Sequence, residues 1–499
     1  MDSLSVAALV GSAVLLVDLG LRVAALGLIP ENRRPSSGMA WLILVAVLPL
    51  VGFALFWVLG RTSVGRLRAT RQAEALSRVR DRVEALDAAR LAEVPDGAPG
   101  YLPSALVLNR TLGALPAVPA GPVALFSDYD GSIAAMAEAI GQAEQQVHVE
   151  FYIMAWDETT GPVFDALLAA RERGVTVRLL FDHLGSRKMP GHDDMLARFD
   201  AVGIQWRAML PLHLLKRDVR RPDLRNHRKI LVVDGTTAFT GSQNMVERSY
   251  HSEKHRSAGR KWVELTCRVG GGLAASLDAV FATDWYTESG ELLELAPRAL
   301  PPSAPVPEQV PAPDQAARVG QVVPSGPGVV WENNLRLFTH LIYGATRRVS
   351  LTSPYFVPDE SLLYAVTTAA QRGIEVELFV GEAGDQFMVY HAQCSYYRAL
   401  LEAGVRIWLY ESPLVLHSKH FSVDDDVVVI GSSNMDLRSF ALNYEVSLLL
   451  ASPEVVTEVR RVEDDYRARS RELTLEEWRR RPLRKRYVDN VMRLTASLQ

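Results

Sequence analysis

Asn226-His227-Arg228-Lys229-Ile-Leu-Val-Val-Asp234-Gly, continuing to Phe-Thr-Gly241-Ser242-Gln243-Asn244, is the stretch that decides the fold. It recurs later in the chain. Leu416-His417-Ser418-Lys419-His-Phe-Ser-Val-Asp424 continues to Val-Ile-Gly431-Ser432-Ser433-Asn434. Both copies hold His-x-Lys, four residues, Asp, and then Gly-Ser-x-Asn at the same offset. Side chains two apart on a strand share a face, so each copy presents an imidazole beside an ammonium. Asn244 and Asn434, on the following strands, can bring amide donors to that face. Ser242 and Ser432 stand beside them as further candidates for substrate contact. Asp234 and Asp424 lie seven residues beyond their histidines, an odd offset that turns them to the other face. They complete the motif as candidate catalytic-site residues, with a role in holding the loop and strand rather than touching substrate. Two candidate carboxylates can orient the imidazoles. Glu445, in Asn443-Tyr444-Glu445-Val446, is assigned to His417, and Glu264, in Lys261-Trp262-Val263-Glu264, to the other half-site. A lone His-x-Lys is ordinarily an edge strand without chemistry. Two matching copies are not expected by chance.

The duplication extends outward from the motifs. Val147-His-Val-Glu-Phe-Tyr-Ile-Met reads as a strand, followed by a helix ending at Arg171-Glu-Arg-Gly174 and by the strand Val-Thr-Val-Arg-Leu-Leu-Phe. Val349-Ser-Leu-Thr-Ser-Pro-Tyr-Phe, a helix ending at Gln371-Arg-Gly373, and Ile-Glu-Val-Glu-Leu-Phe-Val repeat that order. Strand, helix, glycine cap and strand make an α/β unit with a mainly parallel sheet. The expected architecture is two duplicated α/β domains about a pseudo-two-fold axis, with a shared site on that axis. The expected boundaries are residues 122–295 and 326–499, joined by a linker over 296–325 whose prolines exclude a helix or a central strand.

Residues 1–62 read as a membrane hairpin and 63–121 as a linking helix and connector. The run 4–29 is apolar apart from Asp18 and Arg22, which are placed to pair at i,i+4. The run 39–59 is cleaner and reaches about 30 Å as a helix, enough to cross a bilayer core, although Pro49 can kink it. A signal peptide is the alternative for the first run, but it lacks a basic start. Arginines 61, 66, 68, 71, 78 and 80 outnumber Arg33 and Arg34 in the intervening loop, placing the catalytic part on the cytoplasmic face of the cell membrane. The arginines of 65–91 read most simply as a solvated helix face.

With 499 residues the chain is long enough for several cores, and its net charge of -4 gives no global basic field for nucleic acid. Two distant cysteines, Cys267 and Cys394, exclude a disulfide framework and a cysteine-rich zinc site. No metal and no cofactor is expected: the remaining histidines lack ligand spacing, and phosphate-loop and dinucleotide fingerprints are missing. His251 and His255 are placed at an entrance to the site. Basic clusters at 216–225 and 479–486 are either solvated faces or attraction to an anionic bilayer.

The paired motif resembles the double signature of the phospholipase D superfamily. Pro30-Glu-Asn-Arg-Arg-Pro, Met39-Ala-Trp-Leu, Ser353-Pro-Tyr-Phe-Val-Pro-Asp-Glu360, Asn434-Met-Asp-Leu-Arg-Ser-Phe and Glu477-Trp-Arg-Arg-Arg-Pro-Leu resemble segments of bacterial cardiolipin synthases. The resemblance implies a phosphatidyltransferase using phosphatidylglycerol and making cardiolipin. It implies a phosphohistidine on His227, His417 as acid and base, and Lys229 and Lys419 on the phosphate. A hydrolytic phospholipase D releasing phosphatidic acid shares every motif, and a nuclease of the superfamily shares the histidines. Oligomeric state is not legible in the sequence.

Overall fold

The computed structural model describes residues 3–31, 35–60, 63–84, 92, 94, 97–211, 221–293, 319–328 and 332–495. They form two compact units, Met1–Arg66 with Leu212–Leu224, and Leu67–Pro211 with Arg225–Gln499.

In the first unit Ser3–Leu28 is one continuous helix of 26 residues. Its window Gly11–Leu28 is long and apolar enough to cross a membrane. Asp18 and Arg22 pair at 3.0 Å, one turn apart. The second run, expected to be the cleaner crossing, is instead broken. Pro35–Val47 ends before Leu48, and Pro49–Leu55 starts a new helix that widens into a π-helical turn at Phe56–Gly60. Proline has no N–H for the preceding turn and its ring displaces that turn's carbonyl. The two pieces double back. Trp41 and Phe56 would lie about 22 Å apart on a straight helix. Their ring centroids are 5.7 Å apart. Gly52 makes the contact possible, because a Cβ there would meet the Leu44 carbonyl oxygen at 2.8 Å.

The second unit is built on two sheets. The first contains β1 (Val123–Phe126), β2 (Gln146–Phe151), β3 (Thr176–Asp182), β4 (Gln205–Met209), β5 (Lys229–Val233), β6 (Thr237–Gly241) and β7 (Thr266–Gly270). The second contains β8 (Val319–Ser325), β9 (Arg348–Thr352), β10 (Glu375–Gly381), β11 (Arg406–Tyr410), β12 (His420–Val423), β13 (Val427–Gly431) and β14 (Asn443–Ala451). The spatial orders are β1-β7-β6-β5-β2-β3-β4 and β8-β14-β13-β12-β9-β10-β11, the same order in both. The second sheet is extended by Val118–Pro119 beside β8 and by Ser470–Leu473 beside β11. Strands β2, β3 and β4 are mutually parallel, as are β9, β10 and β11, while the motif strands β5 and β12 run antiparallel to them.

The glycine-capped helices predicted in both halves are present as Gly161–Glu172 and Glu360–Gln371. Gly174 and Gly373 follow them at φ +92° and +87°, a conformation that costs glycine little. Residues of both sheets share one apolar core: Ile230, Val232 and Val269 pack with Val428, Ile430 and Val446 and with the helices Gly271–Ser289 and Pro453–Ala468. Other faces carry separate cores under their own helices.

Three expectations shift. The proline-rich run 296–314 lies outside the described residues, but 319–325, assigned to the linker, is the buried strand β8. Pro324 sits where β8 is an edge, paired with β14 alone, a position at which a strand tolerates proline. The connector is not a passive link, since the helix Leu102–Gly113 places Leu102, Ala105 and Leu106 in the second sheet's core. Arg68, read as solvated, is buried, paired with Glu288 and set over the Tyr444 ring at 5.6 Å.

Candidate active site

Each motif begins where a short parallel pair ties the two halves together. Arg225–Asn226 pairs with Asn443–Tyr444, and the His227 N–H donates to the Tyr444 carbonyl at 2.8 Å. Val415–Leu416 pairs with Trp262–Val263, and the His417 N–H donates to the Val263 carbonyl at 2.8 Å. The residue after Tyr444 is Glu445 and the residue after Val263 is Glu264. The backbone pairing therefore sets the glutamate of one half against the histidine of the other.

The carboxylate assignment is accordingly crossed relative to expectation. His227 Nδ1 lies 3.0 Å from both oxygens of Glu445, and His417 Nδ1 lies 2.7 Å from Glu264 Oε1. All four side chains are buried. Engaging Nδ1 fixes each ring and leaves Nε2 for the reaction. Lys229 Nζ donates to the His227 carbonyl at 2.6 Å, and Lys419 Nζ donates to that of His417 at 2.5 Å. Burial, together with Lys229, Lys419 and the other histidine, holds the His227 ring well below its ordinary value. Burial also lowers His417, against the opposing pull of Glu264. Burial brings Lys229 down to about 7 and Lys419 to about 8. Both ammoniums are thus desolvated and would regain their charge beside an anion, as a phosphodiester requires.

The two carboxyl groups differ. Burial raises Glu445 to about 7, against Lys229 and a hydrogen bond from Ser432. Burial also works on Glu264, but His417 and Lys419 outweigh it and keep that carboxyl below its ordinary range. Ser432 Oγ donates to Glu445 Oε2 at 2.5 Å, while the Leu265 N–H donates to Ser242 Oγ at 2.9 Å. The serines and glutamates expected at the substrate therefore support the imidazoles and adjacent backbone, because the crossed pairing seats them behind the rings. Asn244 donates to Tyr250 Oη at 2.9 Å and accepts from the Ile153 N–H at 3.3 Å, so its amide is engaged with the loop. Asn434 keeps a buried Oδ1 with no hydrogen-bond partner.

Asp234 and Asp424 occupy equivalent turns, both at φ +50°. Asp234 accepts from the N–H groups of Glu144, Gln145 and Gln146 at 2.8 Å each. Asp424 accepts from those of Thr346, Arg347 and Arg348 at 2.7 to 3.0 Å. Each staples its hairpin to the start of the neighbouring strand, β2 or β9, away from the imidazoles.

Several residues escaped the sequence reading. The Tyr152 ring lies edge-on to His227 at 5.2 Å, and Tyr250 and Tyr355 lie edge-on to His417 at 6.5 and 6.4 Å. Asp182 receives the Asn226 N–H and Arg225, both at 2.9 Å, so Arg225 is buried in an ion pair rather than solvated. Arg228, between His227 and Lys229, is buried against Asp284 and donates to the Glu445 carbonyl at 3.0 Å. Ser418, its counterpart, shares a hydrogen bond with Tyr466 at 2.7 Å. Tyrosine pairs in apolar runs gave the sequence no signal. His251 and His255 brace the loop, on Asp157 at 2.9 Å and on the Ser249 carbonyl at 3.2 Å. Residues 212–220, with most of the first basic cluster, lie outside the described residues.

The sequence profile of the family described as "Cardiolipin synthase, PLD-like domain" matches residues 136–285 and again residues 338–465. Cardiolipin synthase A of Proteus mirabilis (strain HI4320) is 32% identical over 461 residues, covering 92% of each chain. Cardiolipin synthase A of Serratia proteamaculans (strain 568) is 33% identical over 477 residues, covering 93% of each chain. Among solved structures, the phosphatidylserine synthase of Haemophilus influenzae Rd KW20 superposes with a TM-score of 0.59 at 15% identity, over 79% of this chain and 100% of its own, a likeness of fold alone. The double match, the two half-sites and the span of the relatives agree: the chain belongs to the cardiolipin synthase family of phospholipase D-like proteins.

Proposed function

We propose that the protein is a cardiolipin synthase that transfers a phosphatidyl group from one phosphatidylglycerol to another, releasing glycerol. The observation that carries this reading is the crossed pair of imidazole–carboxylate contacts, each beside a desolvated lysine. Two cations and two oriented rings suit a single phosphodiester. His227, held neutral, attacks phosphorus through Nε2, forming a P–N bond as the P–O bond to glycerol breaks. His417 gives that oxygen its proton, then takes one from a hydroxyl of the second phosphatidylglycerol headgroup. That oxygen forms the new P–O bond as the P–N bond breaks. Lys229 and Lys419 hold the non-bridging oxygens. Glu264, which stays ionised, favours the imidazolium of His417, and Glu445, pushed toward its neutral form, gives His227 no such support. That asymmetry supports His227 as nucleophile and His417 as acid and base.

The halves, about 122–293 and 319–495, are taken as phospholipase D-like domains about a pseudo-two-fold axis through the site, in keeping with their common strand order. We take the apolar N-terminus as the anchor that holds the protein in the cell membrane, with Ser3–Leu28 crossing the bilayer and the doubled-back second segment entering and leaving it from one side. The arginines that follow the second segment support the cytoplasmic side for the catalytic part. Purified full-length protein, supplied with phosphatidylglycerol vesicles alone, is expected to give cardiolipin and glycerol in equal amounts. Phosphatidic acid as the main product would mean that water resolves the intermediate and would overturn the synthase reading.

A further inference from the structure

The C-terminal helix Leu483–Arg493 presents its apolar residues in an unusual direction. At about 100° per residue, positions 483, 487, 490 and 494 fall within about 60° of one another. Three of them are Leu483, Tyr487 and Leu494, exposed at 77%, 71% and 82%. The opposite face is the one that docks. Asp489 is buried against His391 at 2.7 Å and Arg481 at 2.5 Å, and Met492 packs on the second core. The outward stripe is bordered by Arg484 on one side and by Arg486 on the other. A soluble helix exposes the polar side; this one exposes an apolar stripe between cations, the pattern of a helix lying in an anionic lipid interface.

The stripe has a neighbour that connects it to the site. His391 belongs to the helix Phe387–Cys394, at whose start Phe387 is 65% exposed. Just before it, Gln386 donates to Tyr355 Oη at 2.9 Å, and Tyr355 donates to Asp385 at 2.7 Å. Tyr355 is edge-on to His417, and with Gln386, Gln393 and Leu416 it lines a small cavity of about 10 Å³ beside the residue before that histidine.

We infer that Leu483, Tyr487 and Leu494, with Phe387, form a docking surface for an anionic bilayer that sets the mouth of the site beside the headgroups. Charge complementarity selects the occupant: Arg484 and Arg486 border the stripe, Arg493 being stacked over Tyr396 at 4.7 Å, and the substrate class of the proposed activity, on which this inference rests, is anionic lipid. The surface makes headgroup delivery a matter of a short lateral step, because the helix that carries it is latched to the helix leading to Tyr355.

The test uses the full chain in nanodiscs. Cys267 and Cys394 are buried, so a cysteine placed at Tyr487→Cys takes an environment-sensitive fluorophore selectively. Glu172→Cys, exposed on the first half, is the control site. With brominated acyl chains in phosphatidylglycerol-containing discs, the probe at 487 is expected to be quenched at least about twofold and the control unchanged, as burial about 5–10 Å into the interface implies. Leu483→Asp in the same chain is expected to abolish the quenching and to raise the surface KM for phosphatidylglycerol roughly tenfold, the worth of one aliphatic side chain. Equal, solvent-like emission at both sites, or a blue shift at 487 without lipid quenching as a protein partner would give, overturns the docking surface. Cardiolipin formation is followed in the same discs. Its loss with 487 still quenched would strike the synthase reading and leave the surface standing; its persistence with 487 in water would strike the surface alone.

Discussion

The two half-sites share a plan and differ in their charges. On one side His227 faces Glu445, which burial lifts to about 7; on the other His417 faces Glu264, which its cationic neighbours hold ionised. The residue between His and Lys is Arg228 in the first, locked into an ion pair with Asp284, and Ser418 in the second, hydrogen-bonded to Tyr466. A symmetric pair of imidazoles would have no reason to divide nucleophile from proton carrier. In the proposed mechanism the division follows from which carboxyl is stabilised as an anion. The comparison teaches that two halves of like strand order can give matching imidazoles unlike surroundings, and on the proposed mechanism those surroundings assign the work.

The largest effect expected is loss of the imidazoles. His227→Ala and His417→Ala should each lower cardiolipin turnover by roughly 10⁴-fold. Near-normal turnover in either, measured by lipid mass analysis, would break the shared-site account. Next comes the structural difference. Arg228→Ala strands the buried Asp284 and should cost about 3 kcal/mol of stability, against about 1 kcal/mol for Ser418→Ala, read by chemical denaturation of the detergent-solubilised protein. Equal costs would mean that Arg228 is not a keystone between the halves.

The carboxyl comparison is sharper in activity. Glu264→Gln should reduce kcat roughly 100-fold and Glu445→Gln only about tenfold, because the second group is already half-way to neutral near pH 7. The reverse order would exchange the roles of the two histidines. The smallest effect is the pH dependence. Lys229 and Lys419 grip phosphate only when protonated, so their contribution is present below their values and lost as pH rises through about 7 and then about 8. The alkaline side of the kcat/KM profile should fall in two steps, and Lys419→Arg should remove the upper one, since arginine keeps its charge. An unchanged two-step fall in that variant would detach the upper step from Lys419.

Much of this was legible in the residues. The spacing of His and Lys, the repeated helix ending in glycine and the outward turn of Asp234 and Asp424 are local, and local periodicity reports them. What failed depended on long-range pairing. Glu445 and Glu264 were matched to the wrong imidazoles because the parallel pairs 225–226 with 443–444 and 415–416 with 262–263 join segments about 150 to 220 residues apart. Nothing in either segment's composition names its partner. The same holds for Arg68, Arg225 and Arg228, whose charge reads as surface until Glu288, Asp182 and Asp284 are brought to them. The break at Leu48–Pro49 was signalled by the proline, but folding back rather than kinking required Gly52 against Leu44. Strand β8 was hidden by its neighbourhood, since its own residues alternate little and the prolines upstream dominate the window.

The most direct measurement is the position of the covalent intermediate. Full-length unaltered protein, mixed with phosphatidylglycerol labelled in its phosphatidyl part, quenched in denaturant near neutral pH because a P–N bond is acid-labile, and digested, can be read by peptide mass. A phosphatidyl adduct on the peptide bearing His227, with none on that bearing position 417, is the result expected. An adduct on His417 in the companion His227→Ala chain, or glycerol release by the unaltered protein with no adduct on either peptide, would contradict the division of labour between the half-sites.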